Sequence, residues 1–371
     1  MGKQLLLVGG GHAHMVTLAN LHQFTDKGHR VTVIGPSESH YYSGMGPGML
    51  GKTYTPDDIR FATRHVVEKQ GGTFVLDRAV GVDPDNKTVL LESGEPISYN
   101  VVSFNCGSFV PKPKMIGTGT DIFTVKPIEK LLDAQKRILS LVSRKKAAIG
   151  IIGGGPSAIE IAGNICGLAT NHGENTPVIQ IFTRGRLMGR FPDSIRKKTV
   201  QSLSQRGIDI RENSNITKIE ADRITLESGQ SYRLDLIFLA LGVKPSPIFT
   251  DSGLPTGPDG GLLVNQFLQS TQYPEMFGGG DCIYFQPQPL DKVGVYAVRE
   301  NPVLFHNLMA TLENTALQPF DPGGAYLLIF NLGGGKGILR KNWLQFGGKP
   351  AFLIKDYIDR KFMRKFQAIE S

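Results

Sequence analysis

Cysteine is almost missing. Cys106, Cys166 and Cys282 are the three in 371 residues, they lie far apart, and no CxxC pair occurs. Neither a disulfide framework nor a zinc site is indicated. There is no low-complexity tract, and no apolar run is long enough to span a bilayer. The apolar residues 5–8 behind Met1-Gly2-Lys3 are too few for a signal peptide, so a reducing cytoplasm is the compartment expected. Acid is in deficit: 33 Asp and Glu against 41 Lys and Arg leave a net charge of +8. Such a surplus attracts phosphates, nucleic acid or an acidic membrane surface. The basic residues do not gather on a recognisable nucleic-acid motif, so no nucleic-acid partner is expected.

Glycine, by contrast, is plentiful at 45 residues, which directs attention to glycine-rich ligand loops. Residues 4–8 (QLLLV) are a short apolar run that reads as a buried parallel strand. Gly9-Gly10-Gly11-His12-Ala13-His14 follows, then a helical stretch over 15–24 and a second strand over 29–34. The same order recurs: a strand over 147–152, Gly153-Gly154-Gly155-Pro156-Ser157-Ala158, a helix over 159–168 and a strand over 178–182. Each copy is a βαβ unit, and the fold class expected is α/β with two Rossmann-like three-layer domains. In such a unit the first glycine allows a tight turn and the second lets backbone approach a pyrophosphate. The helix then aims free N–H groups and a positive dipole end at the anion. One such match is weak; two in the right context are much stronger. The echo extends to exit strands over 99–104 and 234–240, ending in Asn105-Cys106-Gly107-Ser108 and Leu241-Gly242-Val243-Lys244-Pro245, with short alternating segments before each. Glu275-Met276-Phe277-Gly278-Gly279-Gly280-Asp281 then precedes a helix expected to start near Val293.

Together GGGHAH, NCGS, GGGPSAIEIAG, ALGVKPS and FGGGDC resemble the flavoproteins with two dinucleotide-binding domains, a family that includes type II NADH dehydrogenases and sulfide:quinone oxidoreductases. VGGGHAH, YYSGMGPGML, TVKPIE and GVYAVRENPVLFHNL resemble in particular the branch fused to, or encoded beside, selenide, water dikinases. The resemblance implies FAD as cofactor and NAD(P)H as co-substrate. Gly9, Gly10 and Gly11 would hold the FAD pyrophosphate, with His12 and Ala13 opening the helix. Gly280 and Asp281 would take the ribityl chain. The helix behind Val293 would point its positive end at the flavin pyrimidine edge, where negative charge collects on reduction. Tyr42 and Ser43 lie in a glycine-aromatic loop placed beside the isoalloxazine, and Lys126 would reach the flavin or else stand exposed at a domain crossing. Gly153, Gly155, Pro156 and Ser157 would sit at the nicotinamide nucleotide, with Glu160 close to the flavin–nicotinamide stack. Glu160 and Lys126 are the catalytic candidates. Cys106 and Gly107 end the first exit strand, as Gly242 ends the second, and the cysteines there read as packing residues.

The pattern is departed from in three places. His14 stands where a third small residue is expected, which predicts looser packing of helix on strand. No acid ends the second strand at Ile34-Gly35-Pro36, leaving Ser37 or Glu38 for the adenosine ribose. The equivalent place in the second copy reads Thr183-Arg184-Gly185-Arg186, which suits a 2′-phosphate and hence NADPH, or leaves two solvated arginines. His12 and His14 lack a nearby carboxylate or thiol, and no metal is expected.

The domains expected are a discontinuous FAD domain (1–111 and 242–318), an NAD(P)H domain (112–241) and an extension (319–371). In the extension a strand pair with a hairpin turn at Gly333-Gly334-Gly335 precedes a helix over 351–369. Ile354, Ile358, Phe362 and Phe366 recur every fourth residue among Lys355, Arg360, Lys361, Arg364 and Lys365, below Trp343 and Phe346. This basic amphipathic helix either rests on a membrane, packs on the protein's own core or meets a second subunit as in a homodimer. The function expected is electron transfer from NAD(P)H through FAD to a quinone or other small acceptor. Location is cytoplasmic, with attachment to the cytoplasmic membrane face as the option the helix adds. A selenium-linked or sulfide:quinone-like flavoprotein and a non-catalytic FAD-binding module are the alternatives.

Overall fold

A computed structural model describes residues 2–111 and 121–371. The boundary placed at residue 112 and Met1 fall outside them. Two five-stranded parallel sheets organise the chain. In the first, the order is Met276–Gly278, Val101–Phe104, Gln4–Val8, Arg30–Gly35 and Thr73–Leu76. In the second it is Ile122–Thr124, Leu236–Leu239, Ala148–Ile152, Val178–Phe182 and Asp209–Arg211. Each sheet therefore carries its glycine loop at the end of its central strand. There the next strand and the exit strand part to opposite sides, and this is the crevice in which α/β sheets bind ligands. Leu5, Leu6, Leu7, Ile149 and Ile151 are wholly buried, and the strands read as unbroken apolar runs.

A three-stranded antiparallel meander precedes each exit strand, over Ala79–Asp83, Thr88–Leu91 and Pro96–Ser98, and over Ile216–Glu220, Arg223–Leu226 and Ser231–Arg233. The chain leaves the first unit along Ser108–Phe109 and returns along Lys244–Pro245, and these two short strands pair antiparallel. That ribbon fixes the geometry between the two sheets. Two hydrophobic cores follow, one under each sheet.

Three helices matter for the site: α1 (Pro156–His172), α2 (Gly294–Glu313) and α3 (Lys349–Gln367). Before α3, Leu328–Asn331, Gly337–Lys341 and Leu344–Gly348 form an antiparallel meander, one strand more than the sequence indicated. Its first turn lies against α1 without room for a side chain: a Cβ on Gly163 would meet the Leu332 carbonyl oxygen at 2.0 Å. Arg206 Nη1 also donates to that carbonyl at 2.7 Å. The extension is thus clamped to the second unit, and α3 crosses back to the first.

The inward face of α3 differs from the stripe expected. Ile354 and Ile358 are exposed, Phe362 is half-buried and Phe366 is buried, so the fourfold repeat winds from solvent into the protein. The residues that α3 buries are Ala351, Phe352, Lys355, Asp359, Met363 and Phe366. A charged pair occupies the middle of that face, and the apolar Leu353, Ile354, Tyr357 and Ile358 point outward.

Candidate functional site

The first glycine loop is shaped by the exit strand beside it. Gly9 has φ +92°, and a Cβ there would lie 2.3 Å from the Asn105 carbonyl oxygen. Gly11 faces the Asn105 side chain just as closely, at 2.2 Å from Oδ1, and Gly10 faces Thr63. Asn105 is itself a strut: Oδ1 accepts from the Ala13 N–H at 3.2 Å, and Nδ2 donates to the Gly279 carbonyl at 2.7 Å. It joins the first loop to the Gly280–Asp281 turn, a role the sequence reading missed because a strand-end asparagine carries no pattern of its own. Gly280 also needs its positive φ of +75°, and a Cβ there would press on Asn105.

His14 corrects the expectation of looser packing. It is wholly buried and bonds Gly9 O at 2.7 Å through Nδ1 and Ser103 Oγ at 2.8 Å through Nε2. The imidazole fills the place of the third small residue and ties loop to strand. Burial pulls its pKa down to about 4, so it is neutral.

Beyond the loop, Lys126, Asp281 and Ser108 form one set. Lys126 Nζ lies 2.9 Å from Asp281 Oδ2 and donates to Ser108 Oγ at 2.7 Å, while Ser108 donates to Asp281 at 2.6 Å. Burial pushes the Asp281 carboxyl up, but Lys126, the Ser108 hydroxyl and the more distant Lys292 together hold it below its ordinary value. The lysine from the second unit is therefore fastened to the first, rather than standing exposed at a crossing. Val293 is the N-cap of α2, with no side-chain cap and no acid in the first turn. A small cavity bounded by Gly280, Asp281, Lys292, Val293 and Tyr296 opens at that end. Glu300, one turn and a half into α2, takes the Gly280 N–H at 2.5 Å, and burial raises its carboxyl to about 7.

Tyr42 and Ser43 fall where the chain turns from the strand His40–Tyr41 into the 3-10 turn Ser43–Met45. His12, His40, Tyr42 and Phe362 meet there as a ring cluster, with His40 Nε2 and His12 Nδ1 3.3 Å apart. Ser37 Oγ accepts from Ser39 N at 3.3 Å, and Glu38 is paired with Arg64. Gly107 has φ +68° and open space around it. Cys106 and Cys282, distant in sequence, come together. The Cys282 thiol lies 3.4 Å from Phe104 O and 3.3 Å from Gly279 O, and its contact together with burial holds the Cys106 thiol well above its ordinary range. Both cysteines fit packing.

The second loop repeats the first with one difference. Gly153 has φ +144°, and a Cβ would lie 2.1 Å from the Ala240 carbonyl oxygen; Gly154 is closed by Thr183. Gly155, however, faces open space, and it is the N-cap of α1 with no side-chain cap and no acid in the first turn. Pro156 starts that helix and Ser157 follows it. Seventeen residues of helix thus end on bare N–H groups, an arrangement suited to an anion. Thr183 is buried; Arg184 is exposed; Arg186 lies 3.1 Å from Asp193 at the surface; Gly242 has φ +87° with nothing near it.

Glu160, one turn along α1, accepts from the Asn331 N–H at 2.8 Å. Burial raises its carboxyl to about 7 against the opposing pull of Lys355. Lys355 Nζ in turn holds Asp359 at 2.7 Å and Gly44 O at 3.0 Å, and Tyr42 Oη donates to Asp359 at 3.2 Å. A buried polar set from α3 therefore stands between the two loops. In the sequence Lys355 is one of the basic residues of an amphipathic helix, and nothing in its spacing marks it as the one that turns inward.

Both loops, the uncapped α1 and α2, and Asp281 fit two dinucleotides. Comparison with known families decides the assignment: the model of the pyridine nucleotide-disulphide oxidoreductases matches residues 3–304. The chain belongs to the pyridine nucleotide-disulphide oxidoreductase family. It is an FAD-dependent oxidoreductase that takes hydride from NAD(P)H. Among similar proteins, the demethylphylloquinone reductase NdbB of a Synechocystis strain is 23% identical over 291 residues, covering 75% of this chain and 71% of that protein. Ferroptosis suppressor protein 1 of Taeniopygia guttata is 24% identical over 299 residues, covering 76% and 73%. NDH2 of Plasmodium falciparum, solved with NADH, superposes with a TM-score of 0.82 at 14% identity over 99% of this chain and 98% of that one.

Proposed function

We propose that this oxidoreductase reduces a quinone at a membrane surface, with FAD held by the first loop and NADPH by the second. The observation that carries the membrane part is the inverted polarity of α3. Trp343 is 88% exposed, Leu353 63% and Tyr357 64%, with Leu344, Ile354 and Ile358 beside them. Lys349, Lys361, Arg364 and Lys365 lie on the same helix. Apolar rings directed outward and cations around them suit an interface with anionic lipid. No helix among the described residues is long and apolar enough to cross a membrane, so attachment by this face would be peripheral. The relative named as a demethylphylloquinone reductase supports the acceptor, and Arg184 and Arg186 support a 2′-phosphate.

FAD supplies the two-electron chemistry when bound; the chain's task is to hold and position. Gly9, Gly10, Gly11 and Ala13 would receive its pyrophosphate, and Asp281 a ribityl hydroxyl. The bare N-terminus of α2 would favour negative charge at the pyrimidine edge. Lys126, fixed by Asp281 and Ser108, adds a cation that need not reorganise. Gly155 and the start of α1 would receive the nicotinamide dinucleotide, with Glu160 near its reactive end.

Anaerobic titration with NADH and then NADPH, followed at the flavin absorbance, tests the donor, and re-oxidation by a quinone on anionic vesicles tests the acceptor. Bleaching by NADPH at lower concentration than NADH is expected, and Arg184→Ser with Arg186→Ser should reverse that preference. A yellow protein that neither nicotinamide bleaches would sink the reading. Equal quinone reduction with and without vesicles would remove its membrane part.

A further inference from the structure

The histidines of the first loop are left over from the site described so far, since neither a pyrophosphate nor a hydride transfer needs them. His12 opens the 3-10 turn after the third glycine, and its ring is enclosed on three sides. Phe362 of α3 stacks on it at 5.5 Å and 19°, Tyr42 lies at 4.9 Å, and His40 meets it edge-on at 5.0 Å. The His12 Nδ1 and His40 Nε2 atoms, 3.3 Å apart, can share one proton. His12 Nε2 and His40 Nδ1 have no hydrogen-bond partner among the described residues, and both side chains keep some exposure. The pair therefore has two nitrogen positions without a protein partner among the described residues. A structural pair closed in the core, such as His14 with Ser103, has none.

We propose that His12 and His40 form a redox-linked proton acceptor, neutral while the bound FAD is oxidised and carrying one proton while it is reduced. The inference rests on the reading that the acceptor takes up protons with its electrons. The balance runs as follows. NAD(P)H brings two electrons and one proton as hydride, and a second proton enters from solvent onto an imidazole nitrogen. A quinone then takes two electrons and two protons, one from the reduced cofactor and one from the imidazole pair, and the pair returns to neutral.

The surroundings support both states. Burial draws His12 down to about 3 and His40 to about 4, and Lys126 pushes both in the same direction. Asp281 alone pulls His12 upward. Tyr42 presents a neutral ring, and Lys355 and Asp359 of α3 reach the cluster only through Tyr42 and Gly44, as a mutually compensating pair. The resting pair is thus uncharged beside Lys126. A unit negative charge arriving beside the pair would multiply its proton affinity on the order of ten- to a thousandfold. The two pyrophosphate charges act in the same direction.

The test is electrochemical reduction of the purified holoprotein in weak buffer, counting protons taken up per two electrons between about pH 5 and pH 6. It needs neither nicotinamide nor quinone, so its failure is separate from failure of the proposed function. Two protons are expected for the wild type and one for His12→Asn and for His40→Asn. One proton in the wild type, or the same count in all three, overturns the inference. Histidine ¹⁵N NMR of the unsubstituted holoprotein guards against variants that do not fold. On reduction the two ring systems should together gain one proton, and unchanged spectra would overturn the inference equally.

Discussion

The two glycine loops have the same backbone plan and opposite surroundings. In both, the first glycine adopts a positive φ and lies under a carbonyl of the exit strand, Asn105 in one and Ala240 in the other. The third glycine divides them: Gly11 is pressed by Asn105, and Gly155 faces open space. The helix behind the first loop is interrupted, running through His12–His14, Met15–Ala19 and His22–Thr25, whereas α1 runs unbroken for 17 residues. A loop enclosed by Asn105, His14 and the His12 ring cluster suits a ligand that stays. A loop with an open rim and an uncapped helix suits one that comes and goes.

Substitution at the equivalent glycines should break the symmetry most strongly. Gly9→Val forces a side chain onto a carbonyl from a positive φ, and at least ~3 kcal/mol of destabilisation with colourless protein is expected. Gly155→Val meets no protein atom, so the variant should remain yellow and as stable as the wild type. Its flavin should no longer bleach with NADPH at concentrations that saturate the wild type, although dithionite still bleaches it. Absorbance of the purified proteins and thermal unfolding check both. If Gly155→Val also loses FAD, the division of labour between the loops is wrong.

Next in size is the Lys126–Asp281 pair, which spans the two units. Lys126→Met leaves Asp281 buried beside only the Ser108 hydroxyl and distant Lys292. About 2–4 kcal/mol should be lost, less in the double variant Lys126→Met with Asp281→Asn, because an unpaired buried charge costs more than the pair contributes. Denaturant unfolding of the single and double variants forms the cycle. Additive losses would mean the contact is solvated.

The fold was legible in the sequence because a parallel strand buried on both faces must be an unbroken apolar run. The run and its following glycines occurred twice, at 4–11 and 147–155. The glycine positions were legible for the same reason: backbone approach leaves no alternative residue. What stayed hidden depends on which face of an element turns inward. Lys355 and Asp359 sit four apart on a basic helix and look like surface charges until the helix is docked. His14 looked like an obstacle to packing, and Ser103, its partner, lies 89 residues away. Asn105 and Ser108 were visible only as the end of a strand. Contacts of that range carry no local period.

The loops also titrate in opposite senses, which gives a smaller effect. His12, His14 and His40 are depressed in the native state to about 3, 4 and 4. Below about pH 6.5 the unfolded chain binds protons that the native state does not, so their stability contribution is present above that pH and lost as pH falls. Glu160 is raised to about 7. Its contribution is complete below about pH 4.5 and is lost as pH rises through 7, roughly 3 kcal/mol in all. Glu160→Gln keeps an oxygen for the Asn331 N–H and removes the titration. The difference in unfolding free energy between wild type and this variant should therefore drift against the wild type from about pH 4.5 to 7, with Glu300 unchanged in both. A constant difference would show that Glu160 is ionised throughout.

The smallest expected change in stability belongs to the outward face of α3, and it separates that face from the inward one. Trp343→Ser with Tyr357→Ser removes two exposed rings that cover no core residue, so unfolding should move by no more than about 0.5 kcal/mol. Lys355→Met, on the buried face, strands Asp359 and should cost several-fold more. The order reverses for anionic vesicles. Two interfacial rings add substantially to binding at a lipid surface, whereas Lys355 is buried and does not reach it. Co-sedimentation should fall for the double serine variant and hold for Lys355→Met, while flavin content stays the same in both. If the serine variant sediments like the wild type but changes its oligomeric state, the exposed face meets a second copy of the chain and the quinone must reach the flavin by another route.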